Sequence, residues 1–510
     1  ADDNTAVGYL ALFANTTGAD NTALGGYSLD ANTTGDKNTA LGGKTLSANT
    51  TGSENTAVGH QALEANTTAS YNTGVGYRAL EANTTGERNT GVGYRALDGS
   101  TTASDNTAIG YDALGGSALS GSDNVAVGGY CLDANTTGAN NTAVGKSSLG
   151  ANTTGDANTA IGREASLKNT TGQHNVCVGR TALKENTTGN YNVAVGQAAL
   201  RDNTASNNTA VGNDALLLNT TGGENTAIGI NALDANTTGG KNTGLGAFAL
   251  SANTTASYNT AIGAEALEAN TTGAENTAIG YQALTANTTA NYNTAIGCYA
   301  LDANTTGANN IALGRSSLGA NSTGSSNTSI GTFALDAATT ASNNTAVGYA
   351  ALTENTTAQN NTAIGHNCLD ANTTGDDLVG VGQAVLSANT TGSRNTGVGR
   401  QALTAATTGD NNTAVGQAAA MDVTTGANNC CLGNDAGRSS SPSGSITTGS
   451  NNFVLGNNSV ANLYCADTSI SSSDARDKTD VEDFKYGLSW ITELRPVTYR
   501  WDRRSWYTED

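Results

Sequence analysis

Residues 259–275 read NTAIGAEALEANTTGAE, and the next copy, residues 276–292, reads NTAIGYQALTANTTANY. When the opening Asn is numbered repeat position 1, this 17-residue pattern recurs from Asn4 to past Asn429, with a degenerate copy at Asn452. A fixed short period is the signature of a solenoid, in which each coil buries apolar side chains against its neighbours. The sequence therefore predicts an all-β solenoid, or β-roll, of about 26 coils.

Two rows of aliphatic side chains run through the repeat. Position 4 is Val, Ile or Leu in every copy, and position 9 is mostly Leu, with exceptions such as Ser166 and Ala420. Burial of one aliphatic side chain contributes roughly 1.5–3 kcal/mol, so both rows are expected to face the core. Two apolar rows per turn predict two short strands per coil. Because adjacent coils lie about 4.8 Å apart, the solenoid is expected to reach on the order of 125 Å.

Position 3 of the repeat is almost always small, as at Ala6, Gly74, Cys177 and Ser329. Side chains alternate between the two faces of a strand, so position 3 is expected to face away from position 4. A row facing solvent would tolerate Lys or Glu, so we expect a seam against other copies of the chain around a three-fold axis. The alternative is a flat outer face whose small residues reflect repeat duplication. The seam interpretation requires that position 4 face inward.

Three further positions predict local structure. Position 5 is Gly in every copy, which indicates a positive φ or a close approach that a Cβ would block. Asn at position 1 is expected to form a ladder of side-chain amides from coil to coil. The segment Asn15-Thr16-Thr17-Gly18 is rich in turn formers and predicts a corner. Asn-Thr-Thr is also formally an N-glycosylation acceptor, but its recurrence at a corner indicates turn chemistry.

Positions 6, 7, 10, 16 and 17 vary freely, so we expect them to point to water and to carry any recognition surface. Two rows at position 6 stand out, one of Tyr77, Tyr94 and Tyr111 and one of Lys146, Arg163 and Arg180. Such rows suit a glycan or an acidic ligand. The alternative is an ordinary solvated face with chance runs.

Composition excludes several classes of function. The chain of 510 residues has two prolines, 64 glycines and 5% aromatic residues, which does not describe a globular enzyme with a thick core. Its formal charge of −20 argues against nucleic acid and anionic membranes as partners. No apolar run approaches the length of a membrane span. The seven cysteines lack metal-ligand spacing and mostly replace small residues, so we expect neither a metal nor a cofactor.

The composition changes at the C-terminus. All three tryptophans lie beyond residue 489, the apolar residues of 481–494 recur at helical intervals, and residues 497–501 predict a strand. Pro496 is expected to end the helix. The predicted domains are the solenoid shaft (1–433), an irregular transition with one further coil (434–473) and a terminal domain (474–510).

The stretch Ser473-Asp474-Ala475-Arg476-Asp477-Lys478, with Leu494-Arg495-Pro496-Val497 following the helix, resembles the opening of the endosialidase-type intramolecular chaperone. That domain is a C-terminal trimerisation domain of phage tail fibres and tail spikes. The resemblance implies that it folds the fibre as a trimer and then cuts itself off in a single turnover. It further implies Ser473 as the nucleophile, Lys478 as its base and Ser473–Asp474 as the scissile bond, since a hydroxyl needs a nearby proton acceptor. Asp477 departs from the family's apolar residue and favours the charged form of Lys478.

The repeat is similar to the head repeats of trimeric autotransporter adhesins, which implies a left-handed, trimeric β-roll. We therefore expect a structural and adhesive protein: the shaft and distal part of a homotrimeric phage tail fibre on the virion. Its partner would be a host cell-surface receptor, either a glycan or a surface protein. We expect an anchor upstream of residue 1 and the rest of the chaperone domain downstream of residue 510.

Two alternatives use the same solenoid. The first is a bacterial trimeric surface adhesin, which predicts a coiled-coil stalk and a membrane anchor at the C-terminus. The second is an ice-binding solenoid. Flat ice-binding faces carry two threonines separated by one residue, whereas Thr16 and Thr17 are adjacent and are expected to face opposite ways.

Overall fold

A computed structural model describes residues 2–116, 118–462 and 464 of the chain. Residues up to Ser459 form one compact unit. Its regular structure is a single sheet of 27 parallel strands, each three residues long. The predicted all-β solenoid with a 17-residue period is confirmed, whereas the handedness and the trimer remain predictions.

The strands occupy repeat positions 2 to 4 of each coil. They are β1 Thr5–Val7, β2 Thr22–Leu24, β3 Thr39–Leu41, β4 Thr56–Val58, β5 Thr73–Val75, β6 Thr90–Val92, β7 Thr107–Ile109, β8 Val125–Val127, β9 Thr142–Val144, β10 Thr159–Ile161, β11 Val176–Val178, β12 Val193–Val195, β13 Thr209–Val211, β14 Thr226–Ile228, β15 Thr243–Leu245, β16 Thr260–Ile262, β17 Thr277–Ile279, β18 Thr294–Ile296, β19 Ile311–Leu313, β20 Thr328–Ile330, β21 Thr345–Val347, β22 Thr362–Ile364, β23 Val379–Val381, β24 Thr396–Val398, β25 Thr413–Val415, β26 Cys430–Leu432 and β27 Phe453–Leu455.

Every strand pairs with the strand of the next coil, so that equal repeat positions lie opposite each other. In β16 and β17, for example, Ala261 pairs with Ala278 and Ile262 with Ile279. The one-residue insertion before β8 and the one-residue deletion before β13 leave this register unchanged. Irregular spacing is therefore absorbed outside the strands.

The prediction of two strands per coil is wrong for the described residues. Positions 8 and 9 are both buried, as Ala62 and Leu63 show with 0% exposure, although neighbouring residues of a strand point to opposite faces. The backbone achieves this through a turn in which Leu63 has a φ of +54°. Leu at position 9 takes this left-handed conformation throughout the solenoid, at a cost of roughly 1–3 kcal/mol per residue. Apolar burial offsets that cost.

The expectation that position 3 forms an outward seam is also wrong. Position 3 residues such as Ala261 and Cys177 are fully buried inside their own coil. A Cβ on Gly74 would already lie 3.4 Å from Cγ of Leu63 in the preceding coil and 3.2 Å from the carbonyl oxygen of Ala79. The row is small because the Leu side chains at position 9 fill the interior and leave space for little more than a methyl group.

The aliphatic row at position 4 faces outward, contrary to prediction. It is half-buried or exposed in all 27 strands, and Ile109 and Ile161 are each 41% exposed. This follows from the alternation along the strand, since position 3 takes the interior and positions 2 and 4 take the outer face. Position 3 therefore cannot form a seam between chains, and any contact between chains must use another surface.

Gly at position 5 has the predicted conformation and the predicted close approach. Gly263 has a φ of +134°, and a Cβ there would lie 2.3 Å from the carbonyl oxygen of Gly280 in the next coil. Both the sterics of a positive φ and the contact between coils therefore exclude other residues.

The predicted Asn ladder at position 1 is confirmed, and a second ladder exists at position 12. The backbone N–H of Asn276 donates to Oδ1 of Asn259 at 3.0 Å, and Nδ2 of Asn276 donates to the carbonyl oxygen of Ala290 at 2.8 Å. In the second ladder, Nδ2 of Asn270 donates to Oδ1 of Asn253 at 3.0 Å and to the carbonyl oxygen of Gly273 at 2.9 Å. Most of the fully buried amides are thus satisfied from coil to coil, as burial requires. The second ladder is interrupted where the next coil has no Asn at position 12, and Oδ1 is left without a partner there, in Asn83, Asn321 and Asn389.

Position 8 of one coil packs against position 3 of the next, and the sizes match. Val385 is larger than the usual Ala at position 8, and the residue it faces is Gly397. A Cβ on Gly397 would lie 2.5 Å from Cγ1 of Val385. Cys368 and Gly380 form a similar pair, with 2.5 Å between the added Cβ and Sγ.

We expect Gly397→Ala to destabilise this part of the solenoid by about 1–3 kcal/mol, because the β-branched Val385 cannot easily yield. Val385→Ala in the same chain is expected to recover most of the loss. Hydrogen exchange of the amides in β24 measures the local free energy of opening. Gly74→Ala is the control, since its Cβ contacts are longer and Ala occupies position 3 in most coils. Equal protection in the Gly397→Ala variant and the parent would contradict the size matching.

Candidate functional site

The predicted self-cleavage residues Ser473, Asp474 and Lys478 lie outside the residues that the structure describes. The predicted helix over 481–494 and the strand over 497–501 lie there too. Their roles stay predictions. Candidate sites within the described residues belong to the outer rows of the solenoid.

The outer face of the sheet is the most extensive of these surfaces. It carries position 2, usually Thr, beside the aliphatic row at position 4. The rare apolar residues at position 2 are half-buried or exposed, with Val176 at 39% and Ile311 at 45%. The result is a continuous β-surface with one uninterrupted aliphatic row along its length.

An aromatic row at position 6 lies beyond the turn that follows this face. The rings of Tyr77, Tyr94 and Tyr111 are parallel within 15°, with centroids 5.3 and 5.0 Å apart. His60 stacks on Tyr77 at 5.8 Å, and Tyr130 of the following coil meets Tyr111 at 5.3 Å. The four tyrosines are between 42% and 48% exposed. The three tyrosines predicted from the sequence therefore stack in one row, and the rings of His60 and Tyr130 extend this row at its two ends.

The predicted basic row continues the same position. Lys146, Arg163 and Arg180 are exposed in three successive coils, directly after the coil that carries Tyr130. Arg163 pairs with Glu164 at 3.0 Å, whereas Lys146 and Arg180 have no carboxylate within 4 Å among the described residues. A shallow depression between the coils is lined by Arg163, Glu164, Arg180 and Thr181.

Position 10 does not point to water as expected. Its carboxylates are half-buried or buried, and burial raises the pKa of each of the following above its ordinary value: Asp30, Asp98, Asp133, Asp234, Glu268, Asp302, Asp336 and Asp370. Asp98 is 8% exposed, and the neighbouring carboxylates of Asp112 and Glu81 raise its pKa further while Arg95 lowers it. Sequence variability concealed this row, because short and long residues alternate there.

Carboxylates at other positions that pair with basic side chains have pKa values shifted in the opposite direction. The guanidinium of Arg88 lowers the pKa of Asp105, and hydrogen bonds from Lys184 and Arg163 lower the pKa of Glu164. Among the described residues, the carboxyl groups with a clearly raised pKa all lie at position 10.

The cysteines have structural positions. Cys131 and Cys368 are buried at position 8, and burial raises the pKa of each thiol to about 12, so neither is a reactive thiolate near neutral pH. Cys431 is buried and its neighbour Cys430 is half-buried, because adjacent residues of strand β26 point to opposite faces. Among residues 2–116, 118–462 and 464, no three His, Cys, Asp or Glu side chains are placed to hold a metal ion.

The Asn-Thr-Thr motifs serve the corners, in agreement with the turn interpretation. Asn32, Asn49 and Asn66 are fully buried, and Nδ2 is the atom that a glycan would modify. In Asn49 this atom donates to Oδ1 of Asn32 at 2.8 Å and to the carbonyl oxygen of Gly52 at 2.9 Å. The folded solenoid therefore does not present these acceptors. In the same described part, no helix has the length and apolarity needed to cross a membrane.

Comparison with known families identifies the C-terminal segment. Residues 473–509 match the family model described as chaperone of endosialidase. The resemblance drawn from the motif around Ser473 is thereby confirmed. Chaperone segment and β-solenoid together fit a phage tail fibre or tail spike with an endosialidase-type chaperone domain. No curated protein matches the chain.

The position 10 carboxylates predict that acid stabilises the solenoid. A pKa raised on folding means that stability is fully present below the unfolded pKa and is lost as pH rises through the folded pKa. We therefore expect the thermal midpoint to rise as the pH falls from neutral toward about 4, the ordinary pKa of these carboxyl groups. Replacing Asp302, Asp336 and Asp370 by Asn is expected to raise the midpoint at pH 7 and to flatten its pH dependence.

The control removes the same number of charges at exposed position 17, with Glu224→Gln, Glu275→Gln and Asp377→Asn. This variant is expected to keep the slope of the parent chain. Thermal unfolding followed by circular dichroism measures both variants. A midpoint that falls steadily as the pH is lowered from neutral to about 4 would contradict the assignment.

Proposed function

We propose that the chain is a structural and adhesive fibre protein: the shaft and distal part of a homotrimeric phage tail fibre that attaches to a host receptor. The observation that carries this proposal is the match of residues 473–509 to the chaperone of endosialidase family at the end of a long β-solenoid. The solenoid would supply length and a regular surface, and the chaperone segment would assemble the three chains.

The outer face of the sheet supports assembly. Monomeric soluble proteins rarely expose a contiguous apolar patch of more than a few hundred Å². The aliphatic row at position 4 runs through all 27 strands and is nowhere buried in the single chain. We place the contact between chains on this face, with the rows of three chains meeting near a three-fold axis. The family resemblance supplies the number three.

Register explains why such a fibre would need a chaperone. Each coil offers nearly the same outer face as the next, so chains shifted by one coil would lose little contact energy. A separate domain that holds the three C-termini together would start all chains at the same coil. The bacterial adhesin shares the shaft, but the C-terminal match favours the tail fibre.

A charge placed in the aliphatic row tests the assembly. In the chain with Ile262→Lys, Ile279→Lys and Ile296→Lys, we expect loss of the trimer, because apolar burial is lost and like charges meet at the axis. Native mass spectrometry and light scattering measure the number of chains. Three lysines at position 6 of the same coils, replacing Ala264, Tyr281 and Cys298, form the control and should leave the trimer intact. A monomeric parent chain would contradict the proposal.

Self-cleavage is tested by the C-terminal residue. We expect purified parent protein to end at Ser473 and Ser473→Ala to retain residues 474–510, because the alanine lacks the nucleophilic hydroxyl. Lys478→Met is expected to retain them as well. Intact mass spectrometry distinguishes the products, and Ser472→Ala is the matched control that still cleaves. A parent chain ending at Asp510 would show that no cleavage occurs in this chain.

A further inference from the structure

Position 6 changes chemistry in an ordered way over eight successive coils. The row reads His60, Tyr77, Tyr94, Tyr111, Gly129, Lys146, Arg163, Arg180, and Tyr130 at position 7 fills the place beside Gly129. We define these residues, with Tyr130, as the position 6 strip. An aromatic half is thus continued by a basic half without an intervening coil.

The basic half is unusual for this chain. The formal charge of the whole chain is −20, yet residues 124–190 contain five basic and four acidic residues. Like charges in successive coils lie roughly 4.8 Å apart and repel each other. The available carboxylates do not neutralise them, because Glu164 pairs with both Arg163 and Lys184 at 3.0 Å and Lys146 and Arg180 have no described partner within 4 Å. This arrangement favours a bound polyanion.

The aromatic half selects among polyanions. Parallel rings with more than 40% of each tyrosine exposed present ring edges and hydroxyl groups along one line. Sugar rings offer hydroxyl groups that can form hydrogen bonds with the tyrosine hydroxyl groups. The spacing of coils, about 4.8 Å, is close to the length of one sugar in an extended chain. Nucleic acid would need a far more basic surface than this chain has.

The strip is also separate from the proposed contact between chains. Positions 2 and 4 lie on the strand, and position 6 comes after the turn made by the glycine at position 5. Position 6 varies among Gly, Ala, Tyr, Lys and Arg along the solenoid, which a packed interface would not tolerate. A ligand can therefore reach the strip in the assembled fibre.

We propose that the position 6 strip binds an acidic polysaccharide whose carboxylates pair with Lys146, Arg163 and Arg180 while its sugar rings lie along the tyrosines. Guanidinium groups hold carboxylates through paired hydrogen bonds. In the depression between the two arginines, Glu164 already accepts hydrogen bonds from Arg163, so Arg180, which has no described carboxylate within 4 Å, is the first place for a carboxylate of the ligand. This rests on the proposed function and deepens it by naming a class of receptor.

The test is binding of the whole chain to polygalacturonate, hyaluronate and alginate at low salt, with neutral dextran for comparison. We expect binding to at least one of the three acidic polymers, loss of that binding at high salt and no binding to dextran. Arg163→Gln with Arg180→Gln is expected to weaken binding by at least about tenfold. Tyr77→Gln with Tyr94→Gln is expected to weaken it as well.

The control is Arg315→Gln with Arg400→Gln. Both residues occupy position 6, and their substitution removes the same charge, but the coils next to them carry no Lys or Arg at that position. We expect this variant to bind within about twofold of the parent. Absence of binding to all three polymers, or equal loss in both arginine variants, would overturn the proposal.

The outcome is independent of assembly. If an intact trimer does not bind, the proposed polysaccharide ligand is wrong and the proposed fibre is unaffected. If a monomer binds, the position 6 strip is confirmed as the binding site and the proposed trimeric fibre is contradicted.

Discussion

The narrow interior of the coil is the constraint on which the rest of the structure depends. Leu at position 9 reaches across it, and the opposite wall has room for Ala, Gly, Ser or Cys at position 3, as the 3.4 Å from an added Cβ on Gly74 to Leu63 shows. A thin core of one Leu and two small residues per coil cannot also take the aliphatic side chain at position 4. That side chain is consequently displaced to the outer face, where it is half-buried or exposed in all 27 strands.

Contacts between coils compensate for the thin core. The two Asn ladders satisfy most of the buried amides with hydrogen bonds between neighbouring coils, and the close approach of Gly263 to Gly280 brings the backbones together. Each net hydrogen bond contributes only about 0.5–1.5 kcal/mol, but every coil adds several of them. Stability therefore accumulates along the solenoid through nearest neighbours, in the manner of repeat proteins.

The period, the conformation of Gly at position 5 and the first Asn ladder could be predicted from the sequence because each depends on one repeated residue. The direction of the strand faces could not. Alternation shows that positions 3 and 4 point to opposite sides of the strand, but it does not show which side faces the core. The prediction placed the larger, aliphatic side chain of position 4 in the core, and that was wrong. The left-handed conformation of Leu63 points two adjacent residues, positions 8 and 9, into the core, and these fill its interior. The alternation of apolar residues in the sequence does not reveal such a turn. The second Asn ladder was concealed by a motif that also suits a turn, and the buried carboxylates of position 10 were concealed by variability.

In each repeat, the positions that stabilise the solenoid are different from the positions that form its variable surface. Because positions 1, 3, 5, 8, 9 and 12 supply the core and the ladders, position 6 can change from Tyr94 to Lys146 without altering the register of the strands. In the proposed trimer, the same repetition would make every coil an equally good neighbour for every other coil of a sister chain. Local contacts could therefore build a regular surface, but they could not align three copies of it. Alignment would have to come from a segment that does not repeat, and the proposed function assigns it to residues 473–509.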